Sequence, residues 1–163
     1  MGNKILLLSM MFILFMYSAQ AQSIRIIKKE LKQSIDKHET ELINTSDAIW
    51  EAAETALLEF ESSKILIDYA KKNGFNVDEG VAGIKTAFTA SYGSGRPIIG
   101  ILGEFDANAG ISQKRKPVKE TRIPGGAGHG CGHNLFGTAS LGAAIAIKEQ
   151  IEKGNIKGTV IFY

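Results

Sequence analysis

The ten residues GGAGHGCGHN, from Gly125 to Asn134, constrain this chain more than any other stretch. They contain the only cysteine of the chain, Cys131, and two of its three histidines, His129 and His133, set among glycines. Such a segment is either a flexible surface loop or a backbone folded closely around a ligand. A single cysteine cannot form an internal disulfide, so Cys131 is a small buried residue, an intermolecular partner or a ligand.

A phosphate-binding loop is the first chemical alternative. The dinucleotide-binding pattern requires glycines at its first, third and sixth positions. Gly126 and Gly128 are followed by Cys131 where the third glycine belongs, and the frame that starts at Gly128 ends on His133. No Gly-Lys-Ser or Gly-Lys-Thr sequence follows. The spacing therefore argues against a phosphate loop.

A metal site is the second alternative. Residues two apart in an extended chain point to the same side, so Cys131 and His133 can direct a thiolate and an imidazole to one point. Asn134 is a suitable cap for the helix that the next residues predict, and a helix N-terminus favours the thiolate. This pair suits zinc or another late divalent metal. His129 is a possible third ligand or a group that orients one, and a loop that binds nothing stays the alternative.

Two acidic residues follow a predicted strand upstream of this segment. The run from Ile98 to Leu102 is apolar without alternation, which predicts a strand covered on both faces. Glu104 and Asp106 come directly after it, at the strand end where α/β sheets bind ligands. Asp106 is thus a candidate metal ligand or a residue beside one, and the alternative is two solvated acids.

The apolar periodicity predicts an α/β fold, with a mixed, mainly parallel sheet flanked by helices. Helical spacing runs from Ser23 to about Ala53 and from Ser62 to Lys72, where Asn73 and Gly74 indicate a stop. Strands are predicted near Val77, at residues 84–90 and 98–102, and at residues 156–163, with a helix from Asn134 to about Gly154 between the last two.

The first 21 residues have the composition of a secretory signal peptide. A lysine precedes an apolar run from Ile5 to Tyr17, and Ala19 and Ala21 occupy the small-residue positions of a cleavage site after Ala21. The run is shorter than the roughly 20 residues of a spanning helix, so cleavage is favoured over a membrane anchor. We expect a periplasmic or secreted mature chain of residues 22–163 that has no membrane association after cleavage.

The charges do not indicate a nucleic-acid partner. The formal net charge is +2, and basic and acidic residues are interleaved except in the short cluster from Gln113 to Lys119. We interpret that cluster first as a solvated loop, and an anion-binding patch is the alternative.

The segments ILGEFDANAGISQ and GGAGHGCGHNLFGTASLGAA together resemble the M20 metallopeptidase and amidohydrolase family. The likeness is to the branch that contains aminoacylase-type amidohydrolases and p-aminobenzoyl-glutamate hydrolases. It extends from about Ser34 to Tyr163 and corresponds to about the first third of a full-length member. The family usually has DALP where this chain has DANA, so the loop after Asp106 is expected to differ.

The resemblance implies a site for two divalent ions, zinc or manganese. Cys131 matches the ligand that bridges the ions, His133 a ligand to one of them, and Asp106 an acid beside them. His129 matches the motif histidine, whose role stays open. The resemblance also implies that the catalytic general-base glutamate, the other ligands and the lid and dimerisation domain lie beyond Tyr163, so that residues 22–163 form a partial catalytic domain.

The activity implied is hydrolysis of an amide bond in a small molecule, an N-acyl amino acid or a p-aminobenzoyl-glutamate-like compound, by a homo-oligomer. No catalytic residue is expected within these 163 residues, and the chain alone is expected to be inactive. Its last strand, TVIFY, is expected to expose an apolar edge. The alternative function is a non-catalytic metal-binding or partner-binding module on the same half-fold.

Overall fold

The computed structural model describes the backbone from residue 2 and the side chains from residue 24. The predicted signal peptide, residues 1–21, lies outside the residues whose side chains are described, and it stays a prediction. Within the described part of the chain, no helix is long and apolar enough to cross a membrane.

The structure consists of three α-helices, one short 3₁₀ turn and four strands. The helices are α1 (Gly2–Ala52), α2 (Phe60–Lys72) and α3 (His133–Glu152), and the strands are β1 (Asn76–Glu79), β2 (Phe88–Ser94), β3 (Ile98–Ile101) and β4 (Gly158–Phe162). The 3₁₀ turn, Val81–Gly83, lies between β1 and β2.

The sheet has the order β1-β2-β4-β3. β1 pairs with β2 and β2 with β4 in antiparallel orientation, whereas β3 and β4 are parallel. The α/β class and the mixed sheet are confirmed, but the expected majority of parallel pairs is wrong. A short connection joins β1 to β2, which forces antiparallel pairing, and only the crossover through α3 is long enough to return β4 parallel to β3.

One face of the sheet packs against the helices and forms the core. Val160 and Phe162 of β4 are fully buried, together with Ala90 of β2. The rings of Phe88 and Phe162 pack with their centroids 5.4 Å apart. The helices contribute their own fully buried side chains to this core: Ile49 of α1, Leu66 of α2 and Leu141 of α3.

The outer strand β3 departs from the sequence-based expectation. Ile98 and Ile99 are 56% and 49% exposed, so β3 is not covered on both faces. β4 lies inside the sheet between β2 and β3, and the expectation that its sequence TVIFY forms an exposed edge is therefore wrong. The exposed apolar edge of the described sheet belongs to β3 instead, because β4 inserts between two strands that are adjacent in sequence.

The helix boundaries follow local signals closely. α1 ends at Ala52, one residue before the predicted end, and Gly74 after α2 has a positive φ of 79°, as expected of a C-terminal stop. α2 begins two residues before Ser62. The Glu54 carboxylate accepts hydrogen bonds from the backbone N–H groups of Glu61 and Ser62 at 3.0 and 2.8 Å, and so satisfies the first turn of α2.

Candidate metal centre

The segment after β3 is held on both sides of its acidic residues. The Gly103 N–H donates to the Tyr163 carbonyl at 2.8 Å, and the Ala107 N–H donates to the Glu54 carbonyl at 2.7 Å. Glu104 and Asp106 lie between these two anchors. Their side chains therefore leave a backbone that is fixed against both the sheet and the turn after α1.

Glycines let α3 begin close to this segment. The residue that precedes the helix, Gly132, has a φ of 77°, in the left-handed region that side chains disfavour. A Cβ on Gly137 would lie 2.8 Å from the Glu104 carbonyl oxygen. Only a glycine at this position lets the first turns of α3 approach the strand end, and this approach brings His133 beside the two acids.

The His133 imidazole faces a carboxylate at each nitrogen. Its Nδ1 lies 2.7 Å from Asp106 Oδ1, and its Nε2 lies 3.1 Å from Glu104 Oε2. One ligand atom from each of the three residues lies within 4.8 Å of the others. His133 and Asp106 are about a quarter exposed, at 22% and 27% of their side chains, so the cluster is partly shielded from water.

The charges and donor types of this cluster fit a divalent cation. Two carboxylates against one imidazole leave a net negative charge even when the imidazole is protonated. Carboxylate oxygen and imidazole nitrogen are ligands that zinc and manganese accept. A metal ion takes the place of a proton at such nitrogens, so the pairing of His133 with two acids marks where a cation is stabilised.

Glu104 is the residue to which sequence reasoning gives too small a role. The pattern pairs it with Asp106 at a strand end, but only Asp106 is predicted as a residue of the site. The structure places both on His133. The available signal is their two-residue spacing in an extended segment, which directs both side chains to one side.

Cys131, the predicted bridging ligand, is exposed and has a free thiol. In the part of the chain that the structure describes, it does not belong to the Glu104–Asp106–His133 group. Its role as a ligand stays a prediction.

His129 connects the Gly-rich segment to α1. Its Nε2 lies 3.1 Å from the Ile49 carbonyl, and since a carbonyl only accepts, Nε2 is the donor. Its Nδ1 is buried without a hydrogen-bond partner among the described residues. Burial lowers the pKa of His129, the hydrogen bond to Ile49 opposes this, and nearby His133 lowers the pKa further. The lowered pKa favours the neutral imidazole, in which Nε2 carries the proton and Nδ1 has a lone pair without a partner among the described residues.

Asn134 has a different role from the one predicted. No side chain caps α3, whose N-cap residue is Gly132, and Asn134 lies inside the helix with 7% of its surface exposed. Its Nδ2 donates to Ser46 Oγ at 3.1 Å. Asn134 thus fastens the start of α3 to α1, because the packing of these two helices offers it a buried partner that the local sequence does not reveal.

Comparisons with known proteins agree with this fold. No family model matches the chain. Over 138 residues it is 42% identical to one of the subunits of the p-aminobenzoyl-glutamate hydrolase of Escherichia coli strain K12, an alignment that covers 84% of this chain and 29% of that protein.

Two solved structures have a similar fold. A protein of methicillin-resistant Staphylococcus aureus assigned as an aminohydrolase superposes with a TM-score of 0.67 at 20% identity, over 82% of this chain and 33% of that one. A dinuclear metal-binding peptidase of the M20 family from Bacillus subtilis superposes with a TM-score of 0.65 at 25% identity, over 78% and 35%.

The fold is thus shared with these two structures, one of which is a dinuclear metal-binding peptidase. The chain belongs to the M20 family of metallopeptidases and aminohydrolases, which confirms the family predicted from its two motifs. It spans 29% of the length of the curated relative.

Proposed function

We propose that this chain is part of a metal-dependent amidohydrolase that cleaves the amide bond of an N-acyl amino acid or of a p-aminobenzoyl-glutamate-like compound. The observation that carries the proposal is the Glu104–Asp106–His133 cluster at the end of β3. The likeness to a p-aminobenzoyl-glutamate hydrolase supports the substrate class.

The hydrogen bonds of His133 indicate which of its nitrogens meets a metal. A carboxylate only accepts, so Nδ1 donates to Asp106 at 2.7 Å, the shorter of the two contacts. Such a bond fixes the ring and leaves Nε2 to bind a cation on the side of Glu104. Cys131, two residues before His133, is the proposed thiolate ligand that joins them when the site is filled.

The bound ions, zinc or manganese and two in the whole protein, would acidify a water molecule and polarise the amide carbonyl. The residues of this chain hold and orient them. No further His, Cys, Asp or Glu joins the cluster among the described residues. We therefore place the general base and the remaining ligands in parts of the protein outside these 163 residues.

Assembly and location belong to the same proposal. The curated relative is one subunit of a hydrolase, which supports a multi-subunit enzyme, and we propose a homo-oligomer acting on a small molecule. The apolar start and the small residues before Gln22 support export to the periplasm or the exterior.

Metal binding is the first test. The purified 163-residue chain is titrated with zinc and with manganese by calorimetry, alongside Asp106→Asn. Loss of a carboxylate that orients a ligand histidine weakens metal binding by about 10- to 100-fold. Asp68→Asn, which removes an exposed acid of α2 that pairs only with Lys64, is the matched control and is expected to bind like the wild type.

Catalysis is tested in a chimera. The matching segment of the Escherichia coli relative is replaced by this chain, and hydrolysis of p-aminobenzoyl-glutamate and of an N-acyl amino acid is measured. Metal-dependent turnover that Asp106→Asn abolishes supports the proposal. Retained zinc without turnover on either compound favours the non-catalytic metal-binding module, and turnover by the 163-residue chain alone contradicts the placement of the base.

A further inference from the structure

A long loop connects the two halves of the metal cluster. We call residues 108–128 the linking loop. It begins two residues after Asp106 and ends directly before His129. At its base, the Asn108 N–H donates to the Gly128 carbonyl at 2.9 Å, and the Gly128 N–H returns a bond to the Asn108 carbonyl at 3.0 Å. This closed base fixes how far the acidic segment lies from the start of α3.

The linking loop is bonded to itself along its length. The Ser112 N–H donates to the Gly126 carbonyl at 3.0 Å, and the Lys114 N–H donates to the Glu120 carbonyl at 2.8 Å. The Ser112 hydroxyl also accepts a bond from the Ile123 N–H at 3.0 Å. The loop is therefore a hairpin that is hydrogen-bonded from its outer half to its base.

Two arginines of the linking loop hold it against α1. The guanidinium carbons of Arg115 and Arg122 lie 4.5 and 5.0 Å from the ring centroid of Trp50. Arg115 Nη1 donates to Asp47 Oδ2 at 2.9 Å, and Arg122 pairs with the carboxylate of Glu51 and donates to its carbonyl at 3.2 Å. Trp50 and Glu51 follow Asp47 by three and four residues, so these three side chains lie on one face of α1.

These contacts are the ones that join the outer part of the loop to α1. Among the hydrogen bonds of the described residues, Arg115 and Arg122 supply every bond between residues 109–125 and α1. An exposed ion pair is weak by itself, and a cation–π contact adds a modest attraction. Here two cation–π contacts share Trp50, and the same two arginines pair with Asp47 and Glu51, so the four contacts act on the loop together.

We infer that Trp50, Arg115 and Arg122 are positioning residues for the metal cluster. By holding the linking loop against α1 they keep its base closed, and the closed base keeps Asp106 against His133. The inference rests on the proposed function for the identity of the ligand, a divalent metal. The clamp itself is a feature of the protein without metal and can be measured without it.

The test uses the full 163-residue chain as wild type, as the double variant Arg115→Gln/Arg122→Gln, and as Trp50→Phe. The control is Lys64→Gln/Lys71→Gln. It removes two exposed ion pairs away from the linking loop, Lys64 with Asp68 and Lys71 with Glu79. Zinc affinity is measured by competition with a chromophoric chelator. Hydrogen exchange of the Asn108 and Gly128 amides is measured without metal.

In the double variant we expect zinc affinity to fall about tenfold, as it does when groups that orient ligands are lost. Exchange at Asn108 and Gly128 is expected to become about tenfold faster, while amides of β4 keep their wild-type protection. Trp50→Phe is expected to have an intermediate effect, since an aromatic ring remains. The control is expected to match the wild type in both measurements.

A charge reversal separates positioning from a general loss of stability. Asp47→Arg combined with Arg115→Asp restores an ion pair of opposite polarity, and it is expected to recover most of the amide protection lost in Arg115→Asp alone. Trp50 is the only tryptophan, so its emission reports the arginine contacts in every variant that retains it. A double variant that is unfolded by circular dichroism is replaced by Arg115→Gln alone.

Unchanged exchange at Asn108 and Gly128 overturns the inference. Faster exchange with unchanged zinc affinity also overturns it, because the clamp would then serve the loop alone. If the wild type binds no zinc, the proposed function fails. The inference is then tested without metal by the ¹⁵N resonance of His133 Nδ1, which reports its hydrogen bond to Asp106. Persistence of its bond to Asp106 in the double variant overturns the positioning role, and loss of that bond supports it.

Discussion

Two histidines of this molecule face carboxylates, and they differ in what surrounds them. His133 has Asp106 and Glu104 at its two nitrogens. His38 of α1 has the Glu149 carboxylate 3.1 Å from Nε2 and the Tyr69 hydroxyl 3.4 Å from Nδ1. Both rings are partly buried, with 22% of the His133 side chain and 13% of the His38 side chain exposed. Burial and residue type alone therefore do not distinguish a metal centre from a structural contact.

The balance of charge does distinguish them. Lys37 also pairs with Glu149 at 3.0 Å, so the His38 cluster already contains a cation for its one carboxylate. In the described part of the chain, no lysine or arginine pairs with Glu104 or Asp106. The His38 cluster joins three helices in a satisfied network, whereas the His133 cluster has an excess of negative charge that a metal ion offsets.

The largest effect is expected when each histidine is removed in turn. His133→Ala should abolish zinc binding by the chain and reduce amide hydrolysis by the chimera by more than about a hundredfold, since the ligand itself is lost. His38→Ala should leave zinc affinity within about twofold and lower the urea midpoint of unfolding, because the partly buried Glu149 then loses one of its hydrogen-bond donors. Equal zinc affinity in the two variants would contradict the assignment of the metal centre.

A smaller effect is expected from pH at the helix junction. Burial raises the pKa of Glu149, but hydrogen bonds from His38 and Lys37 outweigh burial and lower this pKa to about 2, from 4.5. A carboxylate with a lowered folded-state pKa stabilises the protein above its unfolded pKa and loses that contribution as the pH falls through the folded value. The stabilisation by Glu149 is thus complete at neutral pH and is lost between about pH 4.5 and pH 2.

The measurement compares wild type with Glu149→Gln in urea at several pH values. The wild type should be more stable by about 2 kcal/mol near neutral pH, and the difference should close as the pH approaches 2. Glu39→Gln, an exposed acid on α1, is the control and should show no such pH-dependent gap. A constant gap between wild type and Glu149→Gln at all pH values would mean that packing, not charge, accounts for the loss.

The smallest effect is expected at Tyr69. Burial, with the charge of Glu41, raises the pKa of the Tyr69 phenol to about 12, so its hydroxyl is protonated at neutral pH. Tyr69→Phe removes only the long contact to His38 Nδ1 and should cost about 1 kcal/mol or less. The free energy of unfolding tests this, and a loss as large as that in His38→Ala would show that the two side chains act as one unit.

Much of the metal centre could be predicted from sequence, and the missing part has a physical cause. His133 and Asp106 are site residues on the sequence pattern alone, and the structure brings them to 2.7 Å. The contribution of Glu104 depends on how closely α3 approaches the end of β3. Gly137, in a different segment of the chain, permits that close approach because it has no Cβ. A pattern of residues in one segment carries no information about that distance.

Local sequence is enough to predict the helices, the turn signals after them, and the two motifs that identify the family. These properties depend on dihedral preferences and periodicity within about ten residues, which the local sequence encodes. The folded chain alone reveals that β4 inserts between β2 and β3, that Asn134 bonds to Ser46, and that two arginines of the linking loop contact Trp50. Each of these contacts joins residues far apart in the chain. They depend on which long-range pairings bury the most apolar surface and leave the fewest buried polar groups unpaired, and that depends on the whole fold.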